Sequence, residues 1–288
     1  MKSGWLVVNN FIDSEKFKEI YALFLNAAKK IQTGLELKRA GEILREVGGY
    51  KREKLPDFVL FWDKDVVLAE MLELAGVRVF NSSAAIAACD DKRKTAVLLE
   101  KHGVPFPKTV VAPKTFEGIG YCDTEFLKTA LGIVGLPAVI KEAYGSFGQQ
   151  VYLARNLKEA EKTVKNAGCK ELLFQKFIAE SAGRDVRVNI IGGRAVCAMA
   201  RENADDFRSN ISGGGKAAPY VLDGKTAAVA EAACRAVGAD FAGVDLLFGD
   251  DGPSVCEVNS NPHFKSTLDC TGIDLSEIIL EFIRDELR

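Results

Sequence analysis

Gly243-Val244-Asp245-Leu246-Leu247-Phe248, the turn cluster Gly249-Asp250-Asp251-Gly252-Pro253, and Ser254-Val255-Cys256-Glu257-Val258-Asn259 form the stretch whose reading decides the fold. Two apolar runs flanking turn residues are the signature of a β-hairpin. With Asp251 at the turn centre, Asp245 lies six residues before it and Glu257 six after, so the two carboxylates are expected to face each other. Side chains alternate with period two, which puts Asn259 on the same face as Glu257. Like charges opposed in a sheet destabilise it, and buried carboxylates are costly unless paired or metal-bound. A divalent cation resolves the conflict, and oxygen donors without His or Cys suit Mg²⁺. Ion pairing of Asp245 and Glu257 with Lys or Arg on a solvated face is the alternative, and the hairpin alone leaves both open.

Upstream, Ala138-Val139-Ile140-Lys141 ends an apolar strand on a lysine just ahead of Gly145-Ser146-Phe147-Gly148. A strand lysine needs an anionic partner, and a glycine loop lets backbone N–H groups approach phosphate oxygens. Together they describe a phosphate clamp; separately they read as a snorkelling lysine and a plain hairpin turn. Asp90-Asp91-Lys92 opens a helix, where acids also serve simply as caps. Arg187, Arg201 and Arg208, the last followed by Ser209-Asn210 and Gly213-Gly214-Gly215, suit an anionic substrate or a γ-phosphate, with surface ion pairs as the alternative. His102 precedes Gly103 at a helix end and reads as structural, whereas His263 follows the hairpin and reads either as a substrate contact or as a plain loop histidine. No Walker A loop, no kinase signature and no Ser/His/Asp or Cys/His arrangement is present.

The remaining chain frames these motifs. From Trp5 to Phe80, short apolar strands alternate with amphipathic helices, the pattern of a parallel sheet covered by helices, with a second helix expected around Arg39 to Val47. The first strand lacks a Gly-x-Gly-x-x-Gly turn, which argues against an NAD oxidoreductase. Asn81 to His102 reads as helical, and a boundary near residue 89 divides the chain into an α/β unit (1–88), a small α+β lid (89–180) and a larger body (181–288). The 288 residues, 48% hydrophobic and with a net charge of -2, describe an ordinary globular protein with no electrostatic footprint for nucleic acid or an anionic membrane. No apolar run approaches the roughly 20 residues that span a bilayer. Seven cysteines, no two closer than fourteen positions, form no Cys-x-x-Cys clip. They read as reduced thiols, and the start breaks into Asn9-Asn10 too early for a signal segment, so the expected location is the cytoplasm.

The ordered set Asp91-Lys92, Val139-Ile140-Lys141, Gly145-Ser146-Phe147-Gly148, Gln175-Lys176-Phe177-Ile178, Gly183-Arg184-Asp185-Val186-Arg187, Phe207-Arg208-Ser209-Asn210, Gly243-Val244-Asp245 and Glu257-Val258-Asn259 resembles the ATP-grasp carboxylate-amine ligases, closest to the RimK-like group that includes the ribosomal protein S6 glutamate ligase. The resemblance runs from about residue 81 to 275 and implies an α/β and α+β ATP-grasp fold preceded by an α/β pre-ATP-grasp domain. It implies that Lys92 and Lys141 approach ATP, that Gly145, Ser146, Phe147 and Gly148 cover its phosphates, and that Gln175, Lys176, Phe177 and Ile178 form the adenine hinge. Asp185 would approach the ribose. Arg187, Arg208, Ser209 and Asn210 would lie around the phosphates and the reacting carboxylate, with Arg208 and Lys141 catalytic. Asp245, Glu257 and Asn259 would hold Mg²⁺ or Mn²⁺. Lys176 stands where the hinge often carries Glu, and Asn261-Pro262-His263-Phe264-Lys265 departs from the Ser-Pro-Gly expected of the S6 ligase, where substrate selection is plausible.

The implied reaction is ATP-dependent amide bond formation through an acyl phosphate, joining an amino acid such as L-glutamate to a small-molecule, peptide or protein-tail carboxylate. Ligases of this fold commonly assemble, so a homo-oligomer is allowed. The alternative is a regulatory module of the same fold that binds ATP without ligation.

Overall fold

The computed structural model of the chain describes residues 2–146 and 148–288. Its first layer is a parallel sheet. Strand β1 (Ser3–Val8) leads into helix α1 (Glu15–Lys30), then β2 (Gly34–Arg39), β3 (Phe58–Trp62), α2 (Val66–Leu74) and β4 (Arg78–Phe80), with strand order β2-β1-β3-β4. All five residues of β3 are buried, as expected of a central parallel strand covered on both faces. Alternation splits the side chains: Leu6, Val8, Leu60 and Trp62 face α1, while Val7, Val59 and Phe61 face Leu68, Ala69 and Leu72 of α2.

The helix expected around Arg39 to Val47 is absent. Residues 34–39 instead pair with β1 as the edge strand β2, and Ala40–Ile43 form a single 3₁₀ turn in which Glu42 accepts from the Arg39 N–H (2.8 Å). The half-exposed Gly-Leu-Glu-Leu-Lys-Arg run has the alternation of an edge strand, and Gly41, Gly48 and Gly49 deny the following stretch a helix. The helical span read over Asn81 to His102 is two helices, α3 (Ser83–Asp90) and α4 (Lys92–Lys101). Asp91 breaks them apart, sitting in extended backbone and capping α4 by accepting from the Arg93 N–H.

Next comes a small antiparallel sheet, formed by β5 (Thr109–Val111), α5 (Phe126–Val134), β6 (Ala138–Glu142), β7 (Val151–Ala154), α6 (Leu157–Asn166) and β8 (Leu172–Lys176), in the order β5-β8-β6-β7. The body follows: β9 (Arg184–Ile191), β10 (Arg194–Glu202), β11 (Lys216–Pro219), α7 (Gly224–Ala236), β12 (Phe241–Gly249), β13 (Gly252–Asn259), α8 (Lys265–Thr271) and α9 (Leu275–Glu286). Its antiparallel sheet has the order β11-β10-β9-β12-β13. Cys89, Leu99 and Val104 join the core of this body sheet rather than that of the small sheet, whose first strand begins at Thr109.

The body sheet has two unlike faces. Val186, Val188, Ile190, Val244 and Leu246 pack with Ala230, Ala233 and Cys234 of α7. The in-between positions Asp185, Arg187 and Asp245 point the other way, to a polar face. Phe241, Phe264, Leu275, Ile279 and Ile283 close one core with α1 and the parallel sheet, and Asn81 pins that junction. Its amide donates to the carbonyls of Phe241 (2.9 Å) and Ser260 (2.8 Å) and accepts from the N–H groups of Asp240 (2.6 Å) and Phe241 (3.2 Å). A fully buried amide with all these bonds made fixes how the two units meet. Among the described residues no helix is long and apolar enough to cross a membrane.

Candidate active site

The polar face of the body sheet and the small sheet enclose a cleft whose lining includes most of the residues singled out in the sequence: Lys92, Lys141, Gly145, Ser146, Gly148, Gln175, Lys176, Phe177, Ile178, Asp185, Arg208, Ser209, Asn210, Asp245 and Glu257. Phe147 lies outside the described residues. Lys141 is the fourth of the five buried residues of β6, and its ammonium donates to the Cys256 carbonyl (3.4 Å), long for a charged donor. Lys92, the first residue of α4, donates to the Gly145 carbonyl (3.1 Å) and stands 3.5 Å from Glu257. Two cations therefore converge on the rim between the small sheet and the hairpin.

Gly145 and Gly148 both take positive φ (144° and 72°), and a side chain at Gly148 would collide with Asn210. Arg208 donates to the Gly148 carbonyl (2.8 Å) while Asp206 holds its guanidinium (2.6 Å), so the arginine ties the glycine loop to the body. At the hinge, Gln175 donates to the Thr109 hydroxyl (3.0 Å) and the Lys176 N–H to the Lys108 carbonyl (2.9 Å). The Ser181 hydroxyl accepts from the Phe248 N–H (2.7 Å), fixing the hinge to the hairpin.

The hairpin register is the one read from the sequence: Asp245 opposes Glu257 and Gly243 opposes Asn259, with a bulge immediately after Asp245. Arg187 is the cross-strand partner of Asp245 on its other side, and Arg201 that of Asp185. Arg187 grips Asp245 in a fork (2.7 Å to each oxygen), and Arg201 reaches both Asp245 (2.9 Å) and Asp185 (2.7 Å). Burial pushes the Asp245 acid up, but Arg187 and Arg201 outweigh it and bring it down to about 2. Burial dominates at Asp185 and raises it against the pull of Arg201.

A second cavity adjoins the first and is roomier, about 800 Å³ against about 100 Å³. It is lined by Asn9, Lys16, Trp62 and Lys64 of the parallel-sheet unit, by Arg187 and Asn259 of the body, and by the loop carrying His263. Arg187 and Asn259 thus stand on this side of the hairpin rather than in the first cleft, although the sequence placed them together with the rest. The His263 Nε2 lies 3.0 Å from the Lys16 carbonyl, and burial, with the nearby Lys16 and Arg187, holds the ring below its ordinary value. The sequence reading missed Asn9, Lys16 and Lys64, as well as Ser181, Arg184 and Gln150 in the first cleft. All but Arg184, which stands within the quoted Gly183 to Arg187 stretch but was given no role, sit outside the motifs read from the sequence.

Residues 89–283 match the RimK-like ATP-grasp domain. The chain belongs to that family. This RimK-like protein is 35% identical over 248 residues to a probable alpha-L-glutamate ligase of Syntrophotalea carbinolica, covering 81% of this chain and 79% of that one. Its fold is that of the ATP-grasp ligases. It superposes on D-alanine–D-alanine ligase of Bacillus anthracis complexed with ATP with a TM-score of 0.75 at 18% identity, covering 100% of this chain and 97% of that one. It likewise superposes on the ATP-grasp ligase PsnB complexed with a minimal precursor, Mg and ADP, with a TM-score of 0.71 at 17% identity, covering 99% and 97%.

The donor set of the RimK-like chain fits a hard cation. Asp245 is held ionised, Glu257 lies directly across the strand pair, and Asn259 adds an amide oxygen. Among the described residues no three His, Cys, Asp or Glu side chains gather at one point, so further ligands would come from elsewhere. Arg187 and Arg201 take both Asp245 oxygens here, which makes Asp245 at once a candidate ligand and the centre of a buried charge chain.

Proposed function

We propose that the chain is an ATP- and Mg²⁺-dependent carboxylate-amine ligase, with the nucleotide in the first cleft and the acceptor in the second cavity. The observation that carries this reading is that the two cavities share Gly145, Ser146, Arg201, Asn210 and Glu257 as common wall. A carboxylate in one and a triphosphate in the other would meet at that seam. A substrate carboxylate attacks the γ-phosphorus, ADP leaves and an acyl phosphate forms; an amine then attacks the acyl carbon and phosphate leaves. Repulsion between carboxylate and triphosphate is the chief barrier, and fixed positive charge in a sheltered site lowers it. Lys141 and Lys92 would bind the phosphates, and Arg208, which ties the glycine loop to the body, would offer its charge from the first cleft. The Gln175 to Ile178 hinge would carry adenine and Asp185 the ribose. Asp245, Glu257 and Asn259 would hold Mg²⁺, which when bound offsets charge on the phosphates.

The relatives named as probable alpha-L-glutamate ligases support an amino acid such as L-glutamate as one substrate, and the precursor-bound PsnB supports a peptide as acceptor. The test is ATP- and Mg²⁺-dependent phosphate release across a panel of amino acids, alone and with carboxylate acceptors, with products read by mass. Release coupled to a product of mass acceptor plus amino acid minus water is the expected result. One observation favours a second reading, a nucleotide sensor without ligation: both oxygens of Asp245 are occupied by guanidinium groups. Tight ATP binding with no phosphate release for any pair in the panel would favour that sensor.

A further inference from the structure

The wall shared by the two cavities has a neighbour from the parallel-sheet unit that no motif marks. Lys64 lines the second cavity, and its ammonium donates to the Ser146 hydroxyl on the shared wall (3.3 Å) and to Asp90 (2.5 Å). Its backbone sits on a rigid support. The preceding Asp63 accepts from the Asn9 amide (3.1 and 3.2 Å) and from the Lys64 N–H (2.8 Å), and its carbonyl accepts from the Asn261 amide (2.6 Å). Strand β3, the loop after β1 and the loop after β13 therefore all hold the residue that presents Lys64.

An ammonium has three N–H donors, and Asp90 and Ser146 take two. Asp90 stabilises the cation without spending all its donors, and Lys64 remains partly open to the cavity, with 43% of its side chain exposed. An anion that enters the second cavity and reaches the seam comes within range of that third donor. We propose that Lys64 is a further catalytic cation of this site, supplied by the parallel-sheet unit, which binds the acceptor carboxylate where it meets the transferred phosphoryl group. This rests on the placement of nucleotide and acceptor proposed above.

The experiment uses an ATP derivative carrying a biotinylated acyl group on its γ-phosphate. A lysine amine near the acyl carbon attacks it, the C–O bond to the phosphate breaks, ATP leaves, and the lysine keeps the label as an amide. The full chain is labelled with Mg²⁺ at alkaline pH, with and without excess ATP, and labelled peptides are mapped by mass. Acylation of Lys64 that excess ATP prevents is the expected pattern. Label on Lys92 or Lys141 with none on Lys64 overturns the inference and leaves the nucleotide reading standing, whereas no ATP-protected label on any lysine overturns both. In the phosphate-release assay, Lys64→Gln is expected to lower kcat at least about tenfold with the KM for MgATP within about threefold, and Lys64→Arg to recover most of the loss. Equal loss in both variants, or none in either, also overturns it.

Discussion

The cleft between the small sheet and the body and the cavity beside it share a wall but are built differently. The cleft is lined by consecutive residues at strand ends and hinges, such as Gln175 to Ile178 and Arg208 to Asn210. The cavity is lined by runs from two separate units, Trp62 to Lys64 on one side and Asn259 to His263 on the other, together with single residues such as Asn9 and Met199, brought together by the docking of the parallel sheet on the body. One region is a set of local backbone devices, which chemistry common to every ATP-using relative can fix. The other is a product of tertiary assembly, free to change one side chain at a time. This contrast teaches where specificity can reside, and the two regions should respond differently to perturbation.

The largest effect is expected at the border between them. Asp245→Ala removes, among the described residues, the only carboxylate gripped by both Arg187 and Arg201, leaving two guanidinium groups under-paired in a buried site. Breaking such a pair costs about 3–5 kcal/mol, readable as a lower urea midpoint, and phosphate release should vanish with it. Unchanged stability would mean that the charge chain does not contribute to the body sheet. Lys141→Met should behave in the opposite way. Its ammonium makes only long contacts with Cys256, so urea stability should stay within about 1 kcal/mol while catalysis falls about a hundredfold, the size expected for losing one aligned cation. If Lys141→Met unfolds the chain instead, the division between a structural and a catalytic cation is misplaced.

A smaller loss is expected at Gly148. Alanine there meets a φ of 72° and the side chain of Asn210, so Gly148→Ala should cost about 1–2 kcal/mol in local strain and loosen the Arg208 contact. The readout is a raised KM for MgATP with the urea midpoint lowered by no more than that strain accounts for. A substitution at Asn9, which holds the Asp63 support of Lys64, should leave the KM for MgATP alone while lowering kcat modestly and altering the choice of acceptor.

The same contrast explains what the amino-acid sequence disclosed. The Asp245–Glu257 opposition was legible because a hairpin's register follows from turn position and period-two alternation. Lys141 and the glycines were legible because a phosphate clamp needs charge beside bare backbone. The partners of Asp245 were not: Arg187 comes from β9 and Arg201 from β10, and strand order is set by how apolar faces pack rather than by local spacing. Asn81 and Lys64 gave no signal either, since an isolated polar residue acquires meaning only when its bonding partners arrive from some eighty to one hundred and eighty positions away. Edge strand β2 was not read from the sequence, and a helix was expected just after it over Arg39 to Val47, because its two leucines, set among charged residues, give no clear strand alternation.

Acid separates the two regions last and most gently. In the cleft, the folded state lowers the Asp245 acid to about 2, so the stability it confers is complete above the ordinary aspartate range and is lost only as pH falls through about 2. In the cavity, the folded state lowers the His263 ring through burial and the charges of Lys16 and Arg187. The unfolded chain then binds the proton more readily, so stability should decline as pH falls below about 6.5, the ordinary histidine value. Between pH 7 and 5 the unfolded chain should therefore take up the His263 proton while the Asp245 chain does not titrate. Urea midpoints across that range should fall in the native chain and fall less in His263→Gln, whereas a slope that survives the substitution unchanged would assign the titration elsewhere. In the folded chain the lowered ring resists that proton, so positive charge is added beside Lys16 at the cavity wall only at a pH below the one at which stability begins to fall, and binding of an anionic acceptor should tighten there, once the fold has already weakened.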